Sequence, residues 1–197
     1  RPFVGSPGNF RRTERRRDYA IPPPARMLLD RLVERGIFTY GVGKIHDIYC
    51  GRGLAEWVKT RDNADGMDKT LAAADKYPRG LLFTNLVDFD QNYGHRKDVE
   101  GYARALEEFD ARLPELLARL RPSDLLIITA DHGCDPDPSN PSTDHSREYV
   151  PLLAFSPGDG SGVPLGVRPT LADIGQTIAE NFGLRLDLGT SFLRELV

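Results

Sequence analysis

Three short segments of the chain concentrate the residue types that bind metal ions. The first contains Asp90 and His95, the second contains Asp131 and His132, and the third contains His145. Together they hold three of the four histidines in the sequence. Carboxylate oxygens suit Mg²⁺ and Mn²⁺, imidazole suits Zn²⁺ and Mn²⁺, and a mixed set suits Mn²⁺ or Zn²⁺. Thiolates are not prominent, which argues against a structural zinc site.

One chemistry that such a mixed set can serve is phosphoryl transfer. Two metal ions about 4 Å apart can stabilise the attacking and the leaving oxygen of a phosphoryl group together. A single pair such as Asp131-His132 could equally be a polar turn at the end of a strand. Because three such segments occur, we expect a two-metal site.

Two apolar runs lead directly into the first two metal-binding segments. Gly80–Val87 and Leu125–Ala130 are apolar without alternation, which is typical of buried parallel strands. An amphipathic helix is predicted between them, over Val99–Leu120, and Pro114 should kink or restart it. Strand, helix and strand in this order predict a right-handed crossover. Ligands bind beyond the carboxyl ends of such strands, so the predicted ligands should meet at one edge of a sheet.

The rest of the chain continues this alternation of helices and strands. Gly36 is suited to end the first helix and Gly183 the last one, since glycine readily follows a helix C-terminus. The predicted elements are a helix from Met27 to Gly36, a strand over Ile37–Val42, a helix over Gly66–Lys76, a strand over Val150–Phe155, and a helix over Thr170–Phe182. The expected fold class is therefore α/β, with a mostly parallel sheet between layers of helices.

Composition narrows the possible partners. The 197 residues are 40% apolar with a net charge of −3, so overall charge gives no case for nucleic acid or an anionic membrane. The longest apolar runs are too short to span a bilayer, and we expect no membrane partner. Cys50 and Cys134 are widely separated in sequence and suggest no disulfide framework. A reducing cytoplasm is the expected location.

Residues 1–26 are rich in arginine, glycine and proline and lack an apolar period. They predict an extended surface arm or linker. Its arginines could be solvated or could contact a phosphate, and both interpretations remain open. The chain begins Arg1-Pro2-Phe3 without a methionine, so we expect it to be a piece of a longer protein.

Longer strings resemble a known family. The string Thr129–Gly133, TADHG, resembles the alkaline-phosphatase superfamily of metal-dependent phosphatases and mutases. The resemblance is specifically to phosphopentomutases, covers essentially the whole chain, and rests on these strings: Arg1–Gly5, Gly43–Ile45, Asp65–Asp68, Asn85–Asp90, Gly94–Arg96, Thr143–Leu153 and Gly189–Leu193. It implies an alkaline-phosphatase-like core, here incomplete.

The resemblance also implies an activity and a set of roles. Phosphopentomutases interconvert ribose 1-phosphate and ribose 5-phosphate, and the deoxyribose equivalents, in nucleotide salvage with two Mn²⁺ ions; Mg²⁺ or Zn²⁺ remains possible. By resemblance, Asp90, His95 and His145 would hold one ion. Asp131 and His132 would contribute to the other. Lys44 would contact the substrate, although it could also be an ordinary solvated lysine.

The resemblance further implies that essential parts lie outside this chain. The family's threonine nucleophile and an aspartate of the second metal site belong to its N-terminal part, and no residue here matches them. Residues 1–26 would then come from the end of a cap domain, and residues 27–197 from the C-terminal part of the catalytic core. We expect the chain alone to be inactive and its partner to be that N-terminal part. The alternatives are a phosphoglycerate mutase or phosphatase of the same superfamily, or a non-catalytic metal-binding module.

Overall fold

The computed structural model describes residues 3–12, 19–158 and 162–196. It divides into two compact units, the first comprising Arg1–Ala73 with Tyr77–Leu86 and the second Ala74–Lys76 with Val87–Val197. The predicted domain boundary at residue 26 stays a prediction. Arg1 and residues 13–18, which carry much of the predicted arginine-rich arm, lie outside the described residues.

The first unit is built on a parallel sheet. Its elements are β1 (Phe3–Val4), β2 (Arg11–Arg12), α1 (Leu28–Glu34), β3 (Thr39–Val42), α2 (Ile45–Ile48), β4 (Glu56–Val58), α3 (Asn63–Lys76) and β5 (Leu81–Thr84). Strands β4, β3 and β5 form a three-stranded parallel sheet in that order, with Gly41 opposite both Trp57 and Phe83. Strands β1 and β2 form a separate antiparallel pair. The α/β class predicted from the sequence is confirmed.

Local sequence explains where the first helices begin and end. Helix α1 buries Leu29 and Leu32, and it ends where Gly36 takes a φ of +71°. Glycine adopts this left-handed conformation readily, because it has no Cβ that would clash with the backbone. Helix α3 begins earlier than predicted, since the Asp62 carboxylate accepts the N–H of Asp65 at 2.8 Å and so caps the helix.

The second unit carries the predicted metal ligands. Its elements are a π-helix (Phe89–Gly94), α4 (Val99–Leu117), β6 (Leu126–Thr129), β7 (Leu152–Phe155), α5 (Ala172–Asn181) and α6 (Leu193–Leu196). Strands β6 and β7 pair antiparallel, with Thr129 opposite Leu152. Helix α5 ends before Gly183, whose φ is +69°. Phe192 of the following segment is fully buried.

Two predictions about this unit are wrong in part. The run Leu125–Ala130 does form β6, but its partner is the antiparallel β7, and β5 lies in a different sheet. The side chains of β5 and most of those of β6 are half-buried instead of buried. An apolar run identifies a strand but carries no information on which strand it pairs with. A kink or a restart was predicted at Pro114, and the restart does not occur, because α4 continues through Pro114 to Leu117 as one element.

Among the described residues, no helix combines the length and the apolar character needed to cross a membrane.

Candidate metal centre

The π-helix Phe89–Gly94 sets the spacing of the first two predicted ligands. The π-helix follows β5 after a short connection. At its end, the N–H of His95 donates to the carbonyl of Asp90, five residues earlier, at 3.0 Å. With this wide turn, Nε2 of His95 lies 3.2 Å from Oδ1 of Asp90. The sequence predicted both residues but contained no signal for a π-helix. The hydrogen bonds of a π-helix span only one residue more than those of an α-helix, so the two have no distinct sequence pattern.

A loop after β6 and a second loop before β7 bring two further histidines to Asp90. Nε2 of His145 lies 3.2 Å from Oδ1 of Asp90. The rings of His132 and His145 stack with their centroids 3.6 Å apart and their planes 14° from parallel. Asp90, His132 and His145 each offer one ligand atom, and these atoms all lie within 4.8 Å of one another. Three such donors around one point can hold a metal ion.

The state of Asp90 is the clearest sign that this cluster fits a cation. Its Oδ1 is buried and has no hydrogen-bond partner, although imidazole nitrogens of His95 and His145 each lie at 3.2 Å. Buried polar atoms are normally paired, and a carboxylate oxygen without a partner is costly. Oxygen and nitrogen donors that converge without bonding one another suit a shared divalent ion.

Backbone carbonyls orient two of the three rings. Nδ1 of His95 lies 2.6 Å from the carbonyl oxygen of Thr143. Nδ1 of His132 lies 3.0 Å from the carbonyl oxygen of Gly133. A carbonyl only accepts, so each Nδ1 carries the proton and each Nε2 keeps a lone pair for a metal. Sequence reasoning missed these acceptors because every residue has a carbonyl and none stands out.

The carboxylates that flank the ligands act on the backbone and on a neighbouring amide. Oδ1 of Asp144 accepts the backbone N–H of His145 at 2.8 Å. Oδ1 of Asp88, which is buried, accepts from Nδ2 of Asn92 at 2.7 Å. Both carboxylates therefore shape the segments that carry ligands.

Asp131 stands apart from the triad of Asp90, His132 and His145. Its Oδ1 lies 3.6 Å from Nε2 of His132, and its side chain is 67% exposed. The structure thus groups His132 with Asp90 and His145, whereas the resemblance assigned His132 and Asp131 to a second ion. The division of the five ligands between two ions stays a prediction.

Cys134, two residues after His132, lies close to Asp90. Burial raises the pKa of its thiol, and the negative charges of Asp90 and Asp135 raise it further. Burial likewise raises the pKa of Tyr102, with a smaller effect from the charge of Asp90. The donor atoms that converge in the cluster are a carboxylate oxygen of Asp90 and ring nitrogens of His132 and His145.

Lys44 belongs to the first unit. Gly43, which has a φ of +80°, follows the last residue of β3, and Lys44 comes next as the N-cap of α2. This is the carboxyl end of a parallel strand, where α/β proteins commonly bind ligands. Its predicted contact with substrate stays a prediction. The fourth histidine, His46, stacks on Trp57 with centroids 3.9 Å apart.

Comparison with known proteins agrees with a metal centre. The family model described as the Metalloenzyme superfamily matches residues 51–186. The chain is 59% identical over 196 residues to a protein named phosphopentomutase from Anaeromyxobacter sp. (strain K). It is 57% and 56% identical to proteins of the same name from Kosmotoga olearia and Caldanaerobacter subterraneus subsp. tengcongensis. Each match covers 100% of this chain and 50% of the relative, so the chain spans about half their length. Its own sequence places it in the metalloenzyme superfamily.

Proposed function

We propose that this chain is the metal-binding part of a phosphopentomutase, which interconverts (deoxy)ribose 1-phosphate and (deoxy)ribose 5-phosphate. The observation that carries the proposal is the identity of 54–59% to proteins named phosphopentomutase along the whole chain. Proteins that share this level of identity along their aligned length have the same fold and place corresponding residues alike. The donors gathered around Asp90 support the metal dependence of the reaction.

The ligand proposal follows the residues already described. Asp90, His95 and His145 would hold one ion, and Asp131 and His132 would contribute to a second. Mn²⁺ is proposed because it accepts both carboxylate and imidazole donors, and Mg²⁺ or Zn²⁺ would be the competitors. Such ions, when bound, supply positive charge that stabilises a phosphoryl group during transfer.

The protein's own groups have separate tasks in this proposal. Asp90 supplies a negative charge at the centre, and the carbonyls of Thr143 and Gly133 hold the rings of His95 and His132 with Nε2 towards the donor cluster. Lys44 would neutralise the charge of the substrate's phosphate.

The remaining half of the relatives' length has a role too. We propose that it supplies the threonine that accepts the phosphoryl group and the aspartate that completes the second metal site. This chain by itself should then be inactive, since a phosphorylated intermediate needs an activated hydroxyl in the site. A cytoplasmic location and a part in nucleotide salvage belong to the same proposal.

A hybrid enzyme tests the proposed function. In it, this chain replaces the matching half of the Anaeromyxobacter sp. relative, to which it is 59% identical. We expect the hybrid to convert ribose 1-phosphate to ribose 5-phosphate with added Mn²⁺, and the chain alone to show no such conversion. The matched control is the same hybrid with Asp90→Asn, which keeps the size of the side chain and removes its charge.

The substrate panel separates the alternatives. A hybrid that folds and binds Mn²⁺ but acts on 3-phosphoglycerate instead of ribose 1-phosphate would contradict the pentose assignment. Conversion of ribose phosphates by the isolated chain would contradict the proposal that the nucleophile lies in the other half.

A further inference from the structure

We propose that the π-helix Phe89–Gly94 positions the ligands of the metal centre. Close contacts at Gly94 and at Gly101, on two sides of the π-helix, maintain its wide turn. The inference rests on the metal site of the proposed function and not on its sugar substrate. It assigns roles to Gly94 and Gly101, neither of which can bind a metal through a side chain.

The geometry of the turn shows why an ordinary helix would not serve. An α-helix advances about 100° per residue, so a residue five positions along lies roughly 140° away around the axis. Asp90 and His95 are five positions apart, and the wider π-turn brings them to the same side. The 3.0 Å bond from the N–H of His95 to the carbonyl of Asp90 closes this turn. The 3.2 Å approach of the two side chains follows from it.

The first glycine contact lies between the π-helix and the loop after β6. Gly94 is buried, and a Cβ placed on it would collide with Sγ of Cys134. Only a residue without a side chain allows this approach. Since His132 precedes Cys134 by two residues, the same approach keeps the His132 segment beside Asp90.

The second glycine contact lies between the π-helix and α4. Gly101 is buried in the first turn of α4, and a Cβ there would collide with the ring of Tyr93 and with Oδ2 of Asp98. The carbonyl of Tyr93 also accepts the N–H of Asp98 at 3.0 Å, again five residues apart. The turn is thus confined from two sides, and inside it the Asn92 amide donates to Asp88.

This arrangement predicts that one added methyl group on Gly94 weakens metal binding without touching a ligand. Alanine at this position must push Cys134 away or turn Asp90 from His95. Changes next to metal ligands typically reduce affinity about 10- to 100-fold. We therefore expect Gly94→Ala to raise the Kd for Mn²⁺ by that factor.

The experiment combines rescue with a matched control. Mn²⁺ binding is measured calorimetrically on the whole 197-residue chain for the wild type, Gly94→Ala, and Gly94→Ala with Cys134→Ala. The double variant removes the colliding sulfur and should recover most of the lost affinity, which a general loss of stability would not. Gly175→Ala is the control, because a Cβ there meets only Leu186 at an ordinary 3.7 Å. It should bind Mn²⁺ like the wild type.

A second readout does not depend on metal. Amide hydrogen exchange of His95 reports the bond to Asp90 in the metal-free protein, and it should become faster in Gly94→Ala. If Gly94→Ala does not fold, Gly101→Ala tests the same turn from its other side and should weaken Mn²⁺ binding as well.

Two results would overturn the inference, and they differ from each other. Wild-type protein that does not bind Mn²⁺ would refute the proposed metal site and the positioning role together. Tight binding by the wild type, with folded Gly94→Ala and Gly101→Ala binding equally tightly, would refute the positioning role alone.

Discussion

Two aspartates of this protein differ sharply in how their oxygens are paired. Asp65 in α3 has a side chain that is only 10% exposed, and its Oδ2 accepts from Nζ of Lys69 at 2.6 Å and from the N–H of Arg61 at 2.9 Å. Asp90 is 36% exposed overall, yet its Oδ1 is buried without a hydrogen bond. Two hydrogen bonds within the protein pair Oδ2 of Asp65, whereas Oδ1 of Asp90 has none and is available to a cation. For these two aspartates, hydrogen bonding distinguishes the carboxylates more clearly than burial does.

The largest expected effect comes from His145, whose Nε2 faces Asp90 and whose ring stacks on His132. Loss of a group beside a metal ligand costs about 10- to 100-fold in affinity, so loss of the ligand should cost more than ~100-fold. His145→Ala should therefore raise the Kd for Mn²⁺ by more than that factor in a calorimetric titration. His46→Ala is the matched control, since His46 lies outside the triad. Equal losses in the two variants would contradict the site.

Metal should stabilise the folded chain through Asp90 and not through Asp65. At a free Mn²⁺ concentration of about 100 times the Kd, the free energy of unfolding should rise by ~2.7 kcal/mol. Thermal unfolding with and without Mn²⁺ measures this rise. It should persist in Asp65→Asn and vanish in Asp90→Asn. Stabilisation of Asp90→Asn by Mn²⁺ to the same degree would place the ion elsewhere.

Removing the charge of Asp65 should lower stability without changing metal binding. Hydrogen bonds to a charged group contribute about 1.5–3 kcal/mol, and the partial exposure of Lys69 reduces this. Asp65→Asn should therefore lose about 1–2 kcal/mol in urea unfolding at pH 7. Asp110→Asn, on an exposed position of α4, is the control and should change little. An unchanged unfolding free energy in Asp65→Asn would mean that these contacts contribute nothing net.

The same aspartate should give a smaller effect that depends on pH. The hydrogen bond from Lys69, followed by that from the Arg61 N–H, lowers the pKa of Asp65 below its ordinary value. Its contribution is therefore complete above the ordinary pKa and disappears as the pH falls through the lowered one. The difference in unfolding free energy between wild type and Asp65→Asn should shrink from pH 7 towards pH 3. A difference that grows in acid would reverse the sign and contradict the assignment.

The sequence predicted that certain residues lie close together, but not the local structure that gathers them; their role as ligands stays a prediction. Asp90, His95, His132 and His145 were named from residue type and position after apolar runs, because those types have few other reasons to cluster. The π-helix was not predictable, since one of the contacts that confine it joins Gly94 to Cys134, which is distant in sequence. The carbonyl partners of the rings were missed because every residue has a carbonyl and none stands out in a sequence.

The elements were also easier to predict than their pairing. The limits of α1 and α5 followed from local signals, Gly36 and Gly183, which act within a few residues. The antiparallel pairing of β6 with β7 depends on two segments far apart in the chain. An apolar run states that a strand will be covered but not by which neighbour. The length of α3 was underestimated because the Asp62 cap lies before the apolar face begins.

Whether Asp90 holds a metal ion can be measured by a calorimetric Mn²⁺ titration of the wild type, Asp90→Asn and Asp65→Asn. Both substitutions remove one carboxylate charge, and of these two residues it is Asp90 that has an unpaired buried oxygen. We expect the wild type and Asp65→Asn to bind Mn²⁺ with the same Kd and Asp90→Asn to lose more than ~100-fold in affinity. Equal binding by all three, or none by the wild type, would contradict this expectation.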